Sequence, residues 1–286
     1  MAAESPNPTT TRYELGRQLQ ALRIRAGLTT TDVSGILHIT ESTVRRYERG
    51  ETTLKYADLE ILLNRYGVRR PDERQLLHEM REQADQRVWW SKYRMPEHTV
   101  KLLSFESQAT RVRIFELACV PGPVQTEAYA RAIIRGNDPS VGEAEIDRWV
   151  KLRLERQRRV YRTGRRPKLE VLLFEPILHC PVGEREVMAE QLEYLLKGPY
   201  PYDVRILPLS VGPHPGMRGA FHLFEFGSPP RKPAMYVEAP RKNFYVEDEA
   251  TVAAATADFD HIWTLALDME KSRRMIVNIL KKEYEA

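Results

Sequence analysis

One stretch, residues 28–50 (LTTTDVSGILHITESTVRRYERG), constrains the fold more than any other part of the chain. Thr29 is a residue type that caps a helix N-terminus. Asp32 falls in the first turn, where a carboxylate meets unsatisfied N–H groups and the positive end of the helix dipole. Val33, Ile36 and Leu37 then share one helical face. A tight turn at His38-Ile39 leads to a second cap, Thr40, and to a second helix over 41–49 that Gly50 ends. The flanks continue the pattern. Leu15, Leu19, Leu22 and Ala26 line one face of a preceding helix closed by Gly27. A fourth helix over 55–66 turns Leu59, Leu62 and Leu63 inward and stops at Gly67, and a fifth starts at Pro71 and runs to about Gln83.

Two short helices joined by a turn of about three or four residues form the arrangement in which the second helix enters the DNA major groove while the first braces on the backbone. Charge agrees with this, because residues 12–70 hold eleven Lys/Arg against seven Asp/Glu. Val44 and Tyr47 face the core, which turns Glu41, Ser42, Thr43, Arg45 and Arg46 outward. Arg45 or Arg46 suits a bidentate contact to guanine, Glu41 an acceptor role toward cytosine N4, and Ser42 and Thr43 either bases or phosphate. Thr30, at the start of the bracing helix, is placed for phosphate, as are Arg49 and Lys55.

Leu28, Thr29, Thr30, Val33, Thr40, Val44, Tyr47, Glu48 and Gly50 together resemble the Xre/Cro family of repressors over residues 13–70. The family's Ala-X-X-Leu order is replaced by Ser34-Gly35-Ile36-Leu37. The resemblance supports DNA contact most directly at positions 30, 41, 42 and 46. It also implies that Arg23 of the first helix pairs with Glu48 at the end of the recognition helix, a structural rather than a reading role. Against this stands the plainer view of 28–50 as a helical hairpin with a solvated basic face.

The chain has 286 residues, enough for two domains. We expect a helix-turn-helix domain at 12–83, a linker at 84–95 and a second domain at 96–283. Residues 1–11, rich in Pro and Thr, read as a disordered leader without the features of a signal peptide. No run of apolar residues is long enough to span a membrane. Two cysteines, Cys119 and Cys180, are too few for a disulfide framework, which fits a cytoplasmic protein. After Trp89-Trp90 we expect a long helix over 99–117, a short one over 126–135 and a basic amphipathic helix over 143–162. Strands follow at 169–175, 203–209, 220–226, 235–238 and 243–247, with a helix at 184–197 and one or two over the last 35 or so residues. The fold class is therefore an all-α five-helix N-terminal domain followed by an α+β domain, a mixed sheet with packed helices.

The segments VPGPVQTEAYARA (120–132), RLERQ (153–157), PVGEREVMAEQLEYLL (181–196) and ILPLSVGPHPGMRGAFHLFEF (206–226) resemble a C-terminal domain of unknown function. That domain is common in regulators of filamentous soil bacteria (actinomycete-type regulators). The match departs at Pro123, where an apolar Leu is usual. Such regulators resemble ones encoded beside a small acidic protein, and some such pairs behave like toxin–antitoxin modules. The resemblance thus implies a sensing or partner-binding role and leaves an alternative, an antitoxin-like protein that sequesters a small acidic partner and autoregulates.

Other signals in this half are weaker. Residues 148–168 hold ten Lys/Arg against one Glu, read as a solvated helix face, an acidic-partner surface or a second DNA contact. The Gly/Pro loop 212–219 reads as a turn, or else as a ligand-facing loop. Gln125, Thr126, Tyr129 and Arg131 line a site or pack between helices. His179-Cys180, His214 and His222 lack zinc spacing, and Glu175 and Glu238 are only a loose carboxylate pair. We expect no enzyme activity, no metal and no cofactor. The partners expected are a double-stranded DNA operator, a second copy of the chain and, in the alternative, a small acidic protein.

Overall fold

A computed structural model describes residues 8–85, 89–93, 95–162, 166–197, 202–227, 232–239 and 243–284. The chain divides into two compact units, Met1–Pro96 and Glu97–Ala286. Part of the expected linker (86–88 and 94) and residues 1–7 of the expected leader lie outside the described residues.

Among its described residues the first unit has five α-helices: α1 (Pro8–Arg25), α2 (Thr30–Leu37), α3 (Glu41–Glu48), α4 (Tyr56–Arg65) and α5 (Pro71–Asp85). Leu15, Leu19, Leu22, Val33, Val44, Leu59, Leu62, Leu63 and Leu77 form one core. The expected disordered leader is corrected at its end, since α1 begins at Pro8 and Thr11 is buried. Its tie is polar. The Arg12 guanidinium donates twice to the carbonyl of Ala84 in α5, at 3.2 and 2.7 Å, a contact no helical period reveals.

The second unit is α+β. Its six-stranded sheet has the order β3-β2-β1-β4-β5-β6, with β1 (Arg111–Glu116), β2 (Lys168–Phe174), β3 (Asp203–Leu207), β4 (Phe221–Glu225), β5 (Ala234–Val237) and β6 (Phe244–Val246). β1, β2 and β3 are parallel, while β4, β5 and β6 extend the other edge antiparallel. The parallel crossover from β1 to β2 carries α7 (Glu127–Asn137) and α8 (Glu143–Arg156). On one face Phe115, Leu172, Leu207 and Leu223 meet Val252, Phe259 and Ile262 of α10 (Glu249–Leu265). Phe224 points the other way, as strand alternation requires, and packs edge-on against Phe105 of α6 (Glu97–Gln108) at 5.6 Å.

The expected helix over 99–117 is wrong in its second half, where β1 stands at the centre of the sheet. Val112, Ile114 and Phe115 are fully buried and so is Arg113, whose guanidinium pairs with Glu225 and Asp260, so both faces of the strand are covered although its sequence alternates charged and apolar residues. The alternation spans only Arg111 to Ile114 directly after a true helix, too short a stretch to break the helical reading. The remaining elements are α9 (Arg185–Lys197) and α11 (Met269–Ile279).

Candidate nucleic-acid interface

In the first unit the Thr29 hydroxyl accepts from the Asp32 backbone N–H at 3.1 Å, and the Asp32 carboxylate accepts from the Thr29 N–H at 2.7 Å. This reciprocal box fixes where α2 begins. α2 ends at His38, whose backbone is left-handed with φ 53°. That single residue reverses the chain sharply enough to bring Thr40 to the N-terminus of α3, where its hydroxyl accepts from Thr43 N–H at 3.2 Å.

α3 presents two faces. Inward, Val44 is 2 % exposed and Glu48 6 %. Outward, Ser42, Arg45, Arg46 and, just past the last turn, Arg49 are exposed, with Lys55 exposed at the start of α4. Thr43 is half-buried and its hydroxyl lies 2.9 Å from that of Thr40. Arg46 has only a loose pairing with Glu51 at 3.7 Å, whereas Arg49 donates to Glu51 at 2.7 Å. Lys55 makes no ion pair among the described residues.

Glu41 is engaged inside the unit. Its carboxylate accepts from Thr31 at 2.8 Å, Thr30 at 3.2 Å and Arg45 at 2.7 Å. These bonds, Thr31 first, hold its pKa below the usual glutamate range. Both Thr30 and Glu41 therefore sit at the facing N-terminal ends of α2 and α3, joined to each other. Thr31, in a run of three threonines, was passed over in the sequence, and only the fold shows that it faces Glu41.

The brace behind α3 is ionic. Arg23 donates to both carboxylate oxygens of Glu48, from Nε at 2.5 Å and Nη2 at 3.0 Å, and from Nη1 to the Leu28 carbonyl at 2.8 Å. One arginine thus ties α1, the loop before α2 and the end of α3 together. Gly16 permits the close approach, since a Cβ there would lie 2.5 Å from the Tyr47 carbonyl oxygen and 2.6 Å from that of Glu48. Gly50, at φ +67°, closes α3 against the backbone of Tyr13.

In the second unit the weaker sequence signals fall mostly to packing. Gln125, Thr126 and Tyr129 are buried. Gln125 donates to the Val120 carbonyl, Thr126 N–H donates to Gln191, and the Tyr129 hydroxyl accepts from Val120 N–H. Arg131 pairs with Asp147 at 2.6 Å. Pro123 is buried in a 3-10 turn, Gly122–Val124. In the Gly/Pro loop, His214 is buried against Phe115 and Phe174, and a Cβ on Gly216 would strike the Phe115 ring at 2.3 Å. That loop plugs the core. Glu175 accepts from Leu209 N–H, and Glu238 lies beside a cavity. Among the described residues no group of three His, Cys, Asp or Glu side chains is placed to hold a metal, and no helix is long and apolar enough to cross a membrane.

Residues 14–77 match the model of a family described as a helix-turn-helix domain. Residues 99–278 match that of a domain of unknown function (DUF5753). A comparison with curated proteins gives no match. The second match alone covers more than half of the chain, and the protein therefore belongs to the DUF5753 family, with a helix-turn-helix domain ahead of the family's own domain.

Proposed function

We propose that the protein is a sequence-specific transcriptional regulator of the Xre/Cro type that lays α3 in the major groove of an operator. The outward face of α3 carries this reading. Ser42, Arg45 and Arg46 stand exposed on a helix whose opposite side is fixed by Val44 and the buried Arg23–Glu48 pair. Arg46 leaves its loose contact with Glu51 at little cost, because exposed pairs contribute about 0–1 kcal/mol, and is the reader of guanine. Thr30, Arg49 and Lys55 contact phosphates. Glu41, already holding three donors, positions α2 against α3 rather than reading cytosine. One recognition helix reads few bases, so the protein acts as a homodimer on a pseudo-palindrome. It works by binding rather than catalysis, in the cytoplasm where its DNA lies, and the second domain serves dimerisation, partner binding or signal sensing.

The antitoxin-like alternative comes from the resemblance of the C-terminal domain, and an acidic-partner surface on residues 148–168 would be one sign of it. Several of those charges are used within the fold: Arg156 on Glu106, Arg159 on Glu155, Arg148 on Glu145 and Lys168 on Glu170. Of these only the Arg156–Glu106 pair is buried, so it is this arginine that is withdrawn from an acidic-partner surface. Footprinting on the DNA upstream of its own gene tests the DNA-reading proposal. Protection that weakens steeply with salt and disappears in Arg45→Ala/Arg46→Ala supports it. Binding no stronger than to random DNA, or binding unchanged in the double variant, refutes it.

A further inference from the structure

In the second unit a cavity of about 230 Å³ opens between α6, α8 and the end of β5. Leu102, Leu152, Trp149 and Tyr236 form an apolar and aromatic side of its lining, and His98 and Asn243 a polar one. Two arginines, Arg153 and Arg156, enter it from successive turns of α8. Their circumstances differ.

Arg156 is neutralised. It donates to both oxygens of the fully buried Glu106, at 2.6 and 2.5 Å, and the Tyr161 hydroxyl donates to the same carboxylate at 2.6 Å. Arg153 has no carboxylate partner among the described residues. Its one hydrogen bond runs from Nη1 to the neutral Gln125 Oε1 at 2.6 Å. Gln125 is itself fixed by its bond to the Val120 carbonyl and holds the guanidinium in place. A guanidinium carries five N–H donors, so most of Arg153's are left for whatever fills the cavity it lines. Burial and the neighbouring Arg156 lower its pKa to about 10, so it stays charged at neutral pH. Glu238, the acidic residue in the lining, acts on Arg153 through its charge, but it is exposed at the end of β5 and makes no hydrogen bond to Arg153 among the described residues.

A buried positive charge with no carboxylate hydrogen-bonded to it is costly, and a planar fork matches a carboxylate. We propose that this cavity binds a small organic carboxylate with Arg153 on the acid group and Trp149 and Tyr236 against an apolar body. The volume lies below the roughly 300–1,000 Å³ of drug-sized sites, which sets the occupant at about ten non-hydrogen atoms. One available guanidinium, with the charge of Glu238 in the same lining, suits a monoanion better than a phosphate dianion. The site goes beyond the DNA-reading proposal, and its test involves no DNA, so either stands or falls alone.

The experiment is calorimetric titration of the full-length protein with benzoate, phenylacetate and hexanoate, each beside its uncharged amide. At least one acid is expected to bind about tenfold or more tightly than its amide, because a charge-assisted bidentate bond separates the two. Arg153→Met should erase that difference, and Leu102→Trp, which fills the cavity and leaves Arg153 in place, should abolish binding. The acid–amide comparison needs no variant, so it holds even if Arg153→Met does not fold. The inference is overturned if no acid binds at millimolar concentration, if acids and amides bind alike, or if Leu102→Trp binds as the wild type does.

Discussion

Replacing Glu48 by Ala removes one half of a buried ion pair and leaves Arg23, 9 % exposed, facing the space. Two guanidinium bonds, at 2.5 and 3.0 Å, are lost. Breaking a buried pair from one side typically costs about 3–5 kcal/mol, since the remaining charge has no partner. The lower end applies because Arg23 keeps its bond to the Leu28 carbonyl at 2.8 Å. A loss of about 3 kcal/mol is a large share of the 5–15 kcal/mol that holds a typical domain. In a unit of this size it lowers the melting midpoint by about 12–24 °C. Circular dichroism at 222 nm follows the melt of the helical unit. The double variant Arg23→Ala/Glu48→Ala should lose little more than the single one, since no orphan charge is left. At a temperature where Glu48→Ala remains folded, its base preference should equal that of the wild type. A wild-type melt, or an altered base preference in the folded variant, refutes the assignment of Glu48 to a structural role.

Three further outcomes follow from local geometry. Gly16→Ala gains about 1 kcal/mol of helix propensity, yet its Cβ meets two carbonyl oxygens at 2.5 and 2.6 Å. Overpacking of about 1–3 kcal/mol should outweigh that gain, and denaturant titration would show a lower midpoint, whereas a raised one contradicts the close approach of α1 to α3. Glu41 has a lowered folded-state pKa, so its contribution is present at neutral pH and fades as pH falls through that value, below the range of a free glutamate. Side-chain NMR titration should place its midpoint below that of a free glutamate, with Thr31→Ala moving it upward; an ordinary midpoint would remove the bridge. Cys180 is exposed, while burial, with Glu116 nearby, pushes the Cys119 thiol up to about 12. A thiol reagent at pH 8 should modify Cys180 quickly and Cys119 only after denaturation; equal rates would contradict the packing around Cys119.

What the sequence discloses differs between the two halves for a physical reason. In the first unit the helices bury one stripe, and α1 to α4 are bounded by caps or glycines, so period and punctuation agree, as at Thr29, Thr40, Gly50 and Gly67. In the second unit β1 is buried on both faces and follows α6 within a few residues, and its alternation is only four residues long and has Arg113 at a buried position. β4 and β5, with Gly227, Pro229 and Pro230 between them in the sequence, were legible. Site residues divide similarly. The outward face of α3 follows from where Val44 and Tyr47 must point. The engagement of Glu41 by Thr31, and the isolation of Arg153 beside a neutralised Arg156, depend on partners distant in the chain or on a fold that sets two helices face to face. A run of basic residues looks alike in sequence whether its charges meet water, carboxylates or a cavity.

The most direct test of the account is selection of binding sites from a randomised DNA library by the wild type and by Arg46→Ala. The account predicts a two-fold-related motif for the wild type, with one guanine per half-site losing its preference in the variant, a cost of about 1–3 kcal/mol at that position alone. An unchanged motif in Arg46→Ala, or no motif for the wild type, would contradict the reading of α3 as the element that recognises DNA.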